Sequence, residues 1–309
     1  MKLLRFCAIA TVIGALVVTA CSSTSTTSTT PSNTYSDDIG RTVTIQNIPQ
    51  RIVSLSPSNT EIVYALGLQD ELVGVTSDDD YPADAQTKPI VSDYSTTDLE
   101  KVVAAKPDLV LADSLQQHDV VPALEKLGIT VFVMTPPDIN GIFHDIQVLG
   151  QITGKTQAAV VLVNGMQNSI KSVTDKTAKL AATQKLRVLY VTWYDPIWTA
   201  GNGTMIQYLI DQAGGTNIAA GLSGYATISL EDVVQQNPQV IIVMSSMGSM
   251  GSSDASLNYV ETNDQLKSTD AVKNGQVYEV DADIFARTTP RIVDGLQILA
   301  KYFHPELFK

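Results

Sequence analysis

The amino-acid sequence predicts an α/β protein of two similar lobes with mainly parallel sheets, joined by one long, rigid α-helix. Short apolar runs alternate with helical segments through most of the 309 residues, which is typical of parallel α/β sheets. A phrase that reads Leu-Glu-x-Val-Val-x-x-x-Pro-x, followed by three apolar residues, begins at Leu99 and again at Leu230. Between the copies lies a proline-free stretch with apolar residues at helical spacing, 155–184. Two copies favour paired lobes over a solenoid, which needs three or more repeats.

The N-terminal segment has the pattern of an export signal. Two basic residues precede an apolar run over residues 6–20, which is too short to span a membrane comfortably. We therefore expect residues 1–20 to be a signal peptide. The run ends in Val-Thr-Ala before Cys21, which resembles the lipobox of bacterial lipoproteins and predicts lipidation of Cys21; the alternative is an ordinary signal peptide and a chance cysteine. Residues 21–36 are nearly all Ser, Thr, Pro and Asn, so we expect a disordered tether.

The N-terminal lobe is predicted over residues 37–153 and the C-terminal lobe over residues 186–309. The second lobe repeats the order of strand, polar loop and helix that opens the first. The predicted elements of the first lobe are a strand at Arg51–Leu55, a helix that Ser58 or Asn59 caps and Gly67 ends, a strand at Leu72–Val75, a helix that stops near Pro107, a strand that ends at Leu111, a helix at Val120–Leu127 and a strand at Ile129–Met134.

The segment over residues 154–185 is predicted to be the helix that connects the lobes. From Lys155 to Gln184 it would be about 40 Å long, because an α-helix rises 1.5 Å per residue. The alternative is two shorter helices broken at Gly165, although a glycine inside a helix costs only about 1 kcal/mol.

Composition and motifs exclude several classes of function. The net charge of −12 argues against nucleic acid as a partner, because phosphate binding needs a basic surface. Two cysteines are too few for a disulfide-dense scaffold or a structural zinc site, and the three histidines lack metal-ligand spacing. The sequence has no Gly-x-Ser-x-Gly elbow, P-loop or His-Glu-x-x-His motif. We therefore expect no catalytic residues, no bound metal and no cofactor.

Three stretches, Arg51–Glu61, Asp98–Leu111 and Asp281–Arg291, resemble the extracytoplasmic substrate-binding proteins of ABC importers. The resemblance is to the class whose lobes are joined by one rigid helix, which serves cobalamin, iron–siderophores and haem. The first and third stretches are most similar to the cobalamin-binding members. The resemblance implies two Rossmann-like lobes with a ligand cleft between them, in a monomer on the extracytoplasmic side of a membrane, periplasmic or at the cell surface. It also implies delivery to a permease dimer with its ATPase subunits, with membrane attachment through the lipid anchor only.

Aromatic residues are expected to contact the ligand, because ligands of α/β sheets bind at the carboxyl ends of the strands. A corrin ring is a wide, mostly apolar disc edged by neutral amides, against which aromatic faces pack. In the cobalamin binders the positions matching Tyr94, Trp198 and Tyr225 are aromatic and face the cleft. The alternative is that some of these side chains pack in the core. The complete expected ligand set is Tyr81, Tyr94, Trp198, Tyr225, Asp283, Phe285 and Arg287.

The resemblance also implies that Asp283 and Arg287 lie in a segment that touches the ligand. Arg287 would donate to corrin amides or to a phosphate, with Asp283 fixing its guanidinium group; the alternative is a local ion pair of little weight. Ile284 stands where the cobalamin binder has Trp, and Asp78 stands where it has a Tyr that contacts the ligand. These departures leave a related ligand open.

Glu100 and Glu231 occupy the same place in the repeated phrase, two residues after the candidate helix caps Asp98 and Ser229. In the cobalamin-binding relatives the matching pair meets arginines on the permease, so the resemblance implies a docking role. The alternative is that both are residues favoured at a helix start by the helix dipole.

Taken together, these features predict a lipid-anchored substrate-binding protein that captures a cobalamin-like corrinoid for an ABC importer. An iron–siderophore or haem binder of the same class is the first alternative. A lipid-anchored hydrolase that uses the same cleft is the remote one, and it would require a nucleophile paired with a base.

Overall fold

The first lobe is built on a five-stranded, fully parallel sheet. The computed structural model of the protein describes residues 33–245 and 254–309, so the predicted signal peptide, Cys21 and most of the predicted tether lie outside the described residues. The sheet has the strand order β5-β4-β3-β6-β7, and its central strands are buried. The elements of this lobe are β1 (Thr34–Ser36), β2 (Thr42–Thr44), β3 (Ile52–Ser54), α1 (Pro57–Ala65), β4 (Leu72–Thr76), β5 (Ile90–Ser92), α2 (Leu99–Ala104), β6 (Leu109–Ala112), α3 (Val120–Lys126), β7 (Val131–Val133) and α4 (Ile139–Ile152).

The ordered body begins before residue 37, inside the segment expected to be a tether. β1 pairs antiparallel with β2, with Tyr35 opposite Val43. Tyr35 packs against the main hydrophobic core, and this buried contact orders a segment whose Ser/Thr composition predicted disorder. Residues 34–36 of the predicted tether therefore form part of the folded body.

The second lobe repeats the architecture of the first on a smaller scale. Its parallel sheet has the order β11-β8-β13-β14, beside a three-stranded antiparallel sheet, β12-β10-β9. Its elements and the connecting helix are α5 (Thr156–Thr177), β8 (Leu186–Val191), β9 (Trp193–Tyr194), β10 (Ile197–Ala200), α6 (Met205–Gln212), β11 (Gly215–Asn217), β12 (Tyr225–Thr227), α7 (Leu230–Gln236), β13 (Val240–Met244), α8 (Asp254–Thr262), α9 (Asp270–Lys273), β14 (Val277–Val280), α10 (Ala282–Ala286) and α11 (Ile292–Phe303).

The repeated phrase forms the same unit in both lobes, a capped helix followed by a buried strand. It makes α2 and β6 in the first lobe and α7 and β13 in the second. The likeness extends to the backbone, because Lys106 and Asn237 both adopt a positive φ at the end of their helices, directly before a proline. A left-handed residue followed by proline is a common way to stop a helix.

The connecting helix α5 runs without interruption from Thr156 to Thr177, through Gly165. Its 22 residues span about 33 Å. It ends earlier than the predicted Gln184, because the Thr177 hydroxyl donates to the Gln212 carbonyl and the chain then turns toward β8. Gly165 lies on the open side of the helix, where an added Cβ would meet nothing.

One continuous hydrophobic core joins the two lobes. Apolar residues of α4 and α5 belong to the same cluster as those of α6 and α11 in the second lobe. α5 packs against α4 on one side and against α11 on the other. The lobes are therefore held by shared packing as well as by the connecting helix. No helix in the described part of the chain combines the length and the apolar composition needed to cross a bilayer.

A buried carboxyl group lies in this first lobe. Asp145 of α4 is fully buried, and its Oδ2 atom has no hydrogen-bond partner among the described residues. Burial, together with the neighbouring Asp38 carboxylate and its hydrogen bond, raises the pKa of Asp145 to about 9. The folded protein therefore holds a proton on Asp145 at neutral pH.

Replacing Asp145 by Asn is expected to stabilise the protein above neutral pH. The folded-state pKa lies above the unfolded value of about 3.9, so the wild-type free energy of unfolding falls as pH rises through the window from about 4 to 9. Asn keeps the shape of the protonated group and removes the titration. The melting temperature of Asp145→Asn, followed by circular dichroism, should exceed that of the wild type by about 3 °C or more at pH 8 and approach it near pH 5. The exposed Asp70→Asn should show no such trend, and an Asp145→Asn protein with the wild-type pH dependence would contradict the assignment.

Candidate ligand-binding cleft between the lobes

The carboxyl ends of the strands in both lobes lead into loops that meet at a cleft. A cavity of about 270 Å³ in this cleft is lined by Pro137, which follows β7 of the first lobe, and by residues of the second lobe that include Tyr225 and Arg287. Ligands of open α/β sheets bind at this edge, where loops from several strands converge. The cleft is therefore the candidate site.

Three aromatic side chains share one face of the small antiparallel sheet beside this cleft. Trp198 of β10 pairs with Trp193, and Ala200 pairs with Tyr225. Directly paired residues lie on the same face, as do residues two apart on one strand, so Trp193, Trp198 and Tyr225 project from a single face. All three are exposed, and Tyr225 reaches the cavity wall. Trp193 sits in the hairpin that the second lobe inserts between β8 and α6.

The two tyrosines of the first lobe are also exposed, and each is tied to a neighbouring loop. The guanidinium carbon of Arg291 lies 3.9 Å from the centroid of the Tyr81 ring, so a cation from the second lobe covers one face of this ring. The Tyr94 backbone N–H donates to Asp78 Oδ2 at 2.9 Å. Burial, and secondarily Asp113, raises the pKa of Tyr94 to about 12, so its hydroxyl stays protonated. Asp78, which departs from the cobalamin-binder pattern, thus positions Tyr94.

A cluster of charged side chains connects the lobes across the cleft. Glu61 of α1 is buried, and its carboxylate accepts hydrogen bonds from two arginines of the second lobe. Arg291 Nε donates to Glu61 Oε2 at 2.7 Å. Arg287 Nη1 donates to Asp80 Oδ1 at 2.7 Å, and Arg287 Nη2 lies 2.9 Å from Asp283 Oδ1. We call these five side chains the interlobe charge cluster.

The interlobe charge cluster revises the expected role of Arg287. Its contact with Asp283 is present, as the sequence suggested. However, Arg287 also binds Glu61 and Asp80 of the first lobe, so its donors are engaged by protein carboxylates. Arg287 is therefore more than a local ion pair, and because it lines the cavity, its contact with the ligand stays a prediction.

Three carboxyl groups in or beside the cluster have shifted pKa values. Burial raises the pKa of Asp283 to about 6 against the attraction of Arg287, and the nearby Asp80 carboxylate adds to the increase. Asp80 is partly buried, which opposes ionisation, but the hydrogen bond from Arg287 holds its pKa below the ordinary value. Burial also raises the pKa of Asp79 to about 6, although Thr60 and Thr76 donate to its carboxylate.

Phe285 packs in the core and also lines the cavity, so its expected contact with the ligand stays a prediction. Its ring is buried and lies 6.2 Å from the ring of Tyr190. In the short helix α10, Phe285 is buried whereas Asp283 is partly exposed, and only the latter reaches the charge cluster.

The residues that the sequence analysis missed are Glu61, Asp80 and Arg291. Glu61 and Arg291 lie 230 positions apart and belong to two of the stretches that carry the family resemblance. The available signal was a charged residue directly before an apolar run, Glu61 before Ile62 and Val63 and Arg291 before Ile292 and Val293. That signal marks a buried charge but does not identify its partner.

Glu100 and Glu231 are exposed and occupy equivalent positions, each the second residue of its helix. The helix starts are capped by their neighbours, since Asp98 accepts from the Lys101 backbone N–H and Ser229 from that of Asp232. Within the described part of the chain, neither Glu side chain forms a hydrogen bond or ion pair. The local capping role is therefore already filled by other residues.

No group of three or more His, Cys, Asp or Glu side chains within residues 33–245 and 254–309 is arranged to hold a metal ion. The centre of the carboxylate group in the cleft is occupied by the Arg287 guanidinium.

Comparison with known proteins identifies the family. The family described as periplasmic binding protein matches residues 52–284. The chain is 33% identical to an uncharacterised ABC transporter substrate-binding lipoprotein of Bacillus subtilis, covering 89% of this chain and 87% of that one. It is 31% identical to a cobalamin-binding protein of Halobacterium salinarum, covering 88% and 74% of the two chains.

A solved structure shares the fold closely. A protein of Staphylococcus epidermidis, described as a possible iron-binding, periplasmic solute-binding protein, superposes with a TM-score of 0.73 at 28% identity. The match covers 84% of this chain and all of that one. The two-lobed architecture, the cleft and these relatives agree: the chain belongs to the periplasmic binding protein family, as the extracytoplasmic substrate-binding component of an ABC importer.

Proposed function

We propose that this protein captures a corrinoid in the interlobe cleft and delivers it to an ABC permease from a lipid anchor at Cys21. The observation that carries the proposal is the array of Trp193, Trp198 and Tyr225 on one face of the small sheet, of which Tyr225 lines the cavity. A corrin ring presents a wide apolar face, which such an array covers with large contact area and little loss of side-chain freedom. The cobalamin-binding relative supports the same ligand.

The second candidate is a haem or iron–siderophore ligand. A flat aromatic surface also accepts a porphyrin ring, and tyrosines are present on both sides of the cleft. The similarity to the possible iron-binding protein of Staphylococcus epidermidis favours this candidate. A direct competition between the ligand classes separates the two.

Ligand titration provides the first test. The chain from Cys21, carrying Cys21→Ser so that it stays unmodified, is titrated with cobalamin, cobinamide, haemin and ferric siderophores by calorimetry. We expect tight corrinoid binding that Trp198→Ala weakens about tenfold, because an aromatic face contributes about 1–1.5 kcal/mol beyond its buried area. Val161→Ala, at an exposed apolar position on α5, serves as the control and should bind as the wild type does. Haemin binding in the absence of corrinoid binding would replace the first candidate by the second.

Docking to the permease provides a separate test. Glu100→Ala combined with Glu231→Ala should leave ligand affinity and melting temperature unchanged but reduce complex formation and import at least tenfold. The reason is that charge pairs at such an interface set the encounter rate and the register. The double variant Asp70→Ala and Glu261→Ala, which removes the same charge from exposed positions of the two lobes, is the matched control. Wild-type import by the first double variant would leave Glu100 and Glu231 as helix-start residues only.

Membrane attachment is tested at Cys21. Cys21→Ser should release the protein from the membrane fraction, since no acyl chain would hold it there. Intact-mass measurement of the native protein should show a diacylglycerol on Cys21. An unmodified cysteine at this position in the membrane-associated protein would refute the anchor.

A further inference from the structure

We infer that the cleft selects neutral, amide-bearing ligands and rejects anionic ones, because both of its arginines are already neutralised by carboxylates of the protein. This inference deepens the proposed function and rests on it. It concerns the charge of the ligand, which the aromatic surface does not determine.

Both terminal nitrogens of Arg287 contact carboxylates of the protein. Its Nη1 atom is shared between Asp80 at 2.7 Å and Glu61 at 3.2 Å, and its Nη2 atom faces Asp283 at 2.9 Å. A guanidinium group recognises a ligand carboxylate through paired, parallel N–H donors. Here those donors are already paired, so binding a ligand carboxylate would require breaking contacts with the protein's own carboxylates.

Protein groups also contact the guanidinium group of Arg291, along one edge and on one face. Its Nε and Nη2 atoms donate to the two oxygens of Glu61, which is the bidentate arrangement a ligand carboxylate would need. The ring of Tyr81 covers its guanidinium plane. Glu61 therefore takes the place that a ligand carboxylate would otherwise occupy.

The exposed part of the cluster is its acidic part. The side chains of Asp80 and Asp283 are 47% and 27% exposed, whereas those of Arg287 and Arg291 are 13% and 16% exposed. Glu61 alone carries one charge against the two arginines, and the two aspartates add further negative charge when ionised. Arg287 is the residue of the cluster that lines the cavity, and the partly exposed carboxylates of Asp80 and Asp283 lie against its terminal nitrogens at 2.7 and 2.9 Å.

Carboxylate oxygens accept hydrogen bonds and repel anions. An ionised carboxylate is acceptor-only and offers about four lone-pair sites, so Asp80 and Asp283 keep capacity beyond their bonds to Arg287. Primary amides supply N–H donors to such oxygens without a charge to desolvate. Ligand carboxylates, such as the two propionates of haem, would face like charge in a partly enclosed site, where screening by water is reduced.

Two corrinoids with the same ring and oppositely substituted side chains, amides in one and carboxylates in the other, test the inference. Cobinamide carries amides around the corrin ring, whereas cobyrinic acid has carboxylates in their place. Calorimetry at pH 7.5 and low salt should show cobinamide bound about 100-fold more tightly, because placing like charges together at an interface costs several kcal/mol. The ratio should shrink in 0.5 M salt, since the exposed carboxylates are screened. A wild-type protein that binds both corrinoids within threefold of each other, or a ratio that is independent of salt, overturns the inference while leaving corrinoid binding intact.

Substitutions in the interlobe charge cluster test whether its carboxylates cause the selectivity. Asp80→Asn combined with Asp283→Asn should lower the cobinamide-to-cobyrinic acid ratio at least tenfold. The control, Asp175→Asn with Asp211→Asn, removes the same charge from exposed positions on α5 and α6 and should keep the wild-type ratio. An equal ratio change in both double variants would attribute selectivity to net charge and overturn the assignment. If the cleft variant shows no melting transition, the salt dependence of the wild type decides the question.

Failure of the proposed function is distinguishable from failure of this inference. If no corrinoid binds, the proposed function is wrong, and the charge preference is then judged with haemin and its dimethyl ester. Tighter binding of the neutral ester supports the inference, and equal or tighter binding of the dianionic haemin overturns it.

Discussion

The carboxylate of Glu61 is the group on which the arrangement of the cleft depends. It is buried in the first lobe, and a buried charge is tolerated only when it is paired and hydrogen-bonded. Its partners, Arg287 and Arg291, come from the second lobe, on the segment that follows α10. The segment is therefore held against α1, and with it one wall of the cleft. Removing the Glu61 carboxylate, or the guanidinium groups that pair with it, would leave an unpaired charge where water solvates it poorly.

The rest of the interlobe structure reinforces this constraint. The connecting helix α5 is continuous, and its apolar face joins a core to which helices of both lobes contribute. A shared, closely packed core is not continuously deformable. The cleft is thus bounded by a rigid helix and core together with a charge cluster that spans the two lobes, which defines the space that a ligand enters.

Recognition in this cleft divides into two physically different parts. The aromatic face of the small sheet offers an uncharged contact area, and the charge cluster offers carboxylate acceptors beside arginines that are already paired with them. The first part favours a flat apolar ring, and the second favours neutral donors at the edge of that ring. The proposed contact with the permease uses Glu100 and Glu231, whose side chains make no bonds within the described residues. The proposed ligand capture and docking thus involve different side chains.

The sequence by itself determined the α/β class, the two-lobed repeat and the unbroken connecting helix, because these follow from local periodicity and from helix caps such as Asp98 and Ser229. It also identified the exposed aromatics Tyr94, Trp198 and Tyr225, with the family resemblance as the guide. Tertiary structure alone decided that Tyr35 is ordered, that Phe285 belongs to the core, that Arg287 is neutralised and that Glu61 bridges the lobes. The physical reason is range: periodicity and capping act over a few residues, whereas the partners of a buried charge or ring lie on distant segments that only the packed chain brings together.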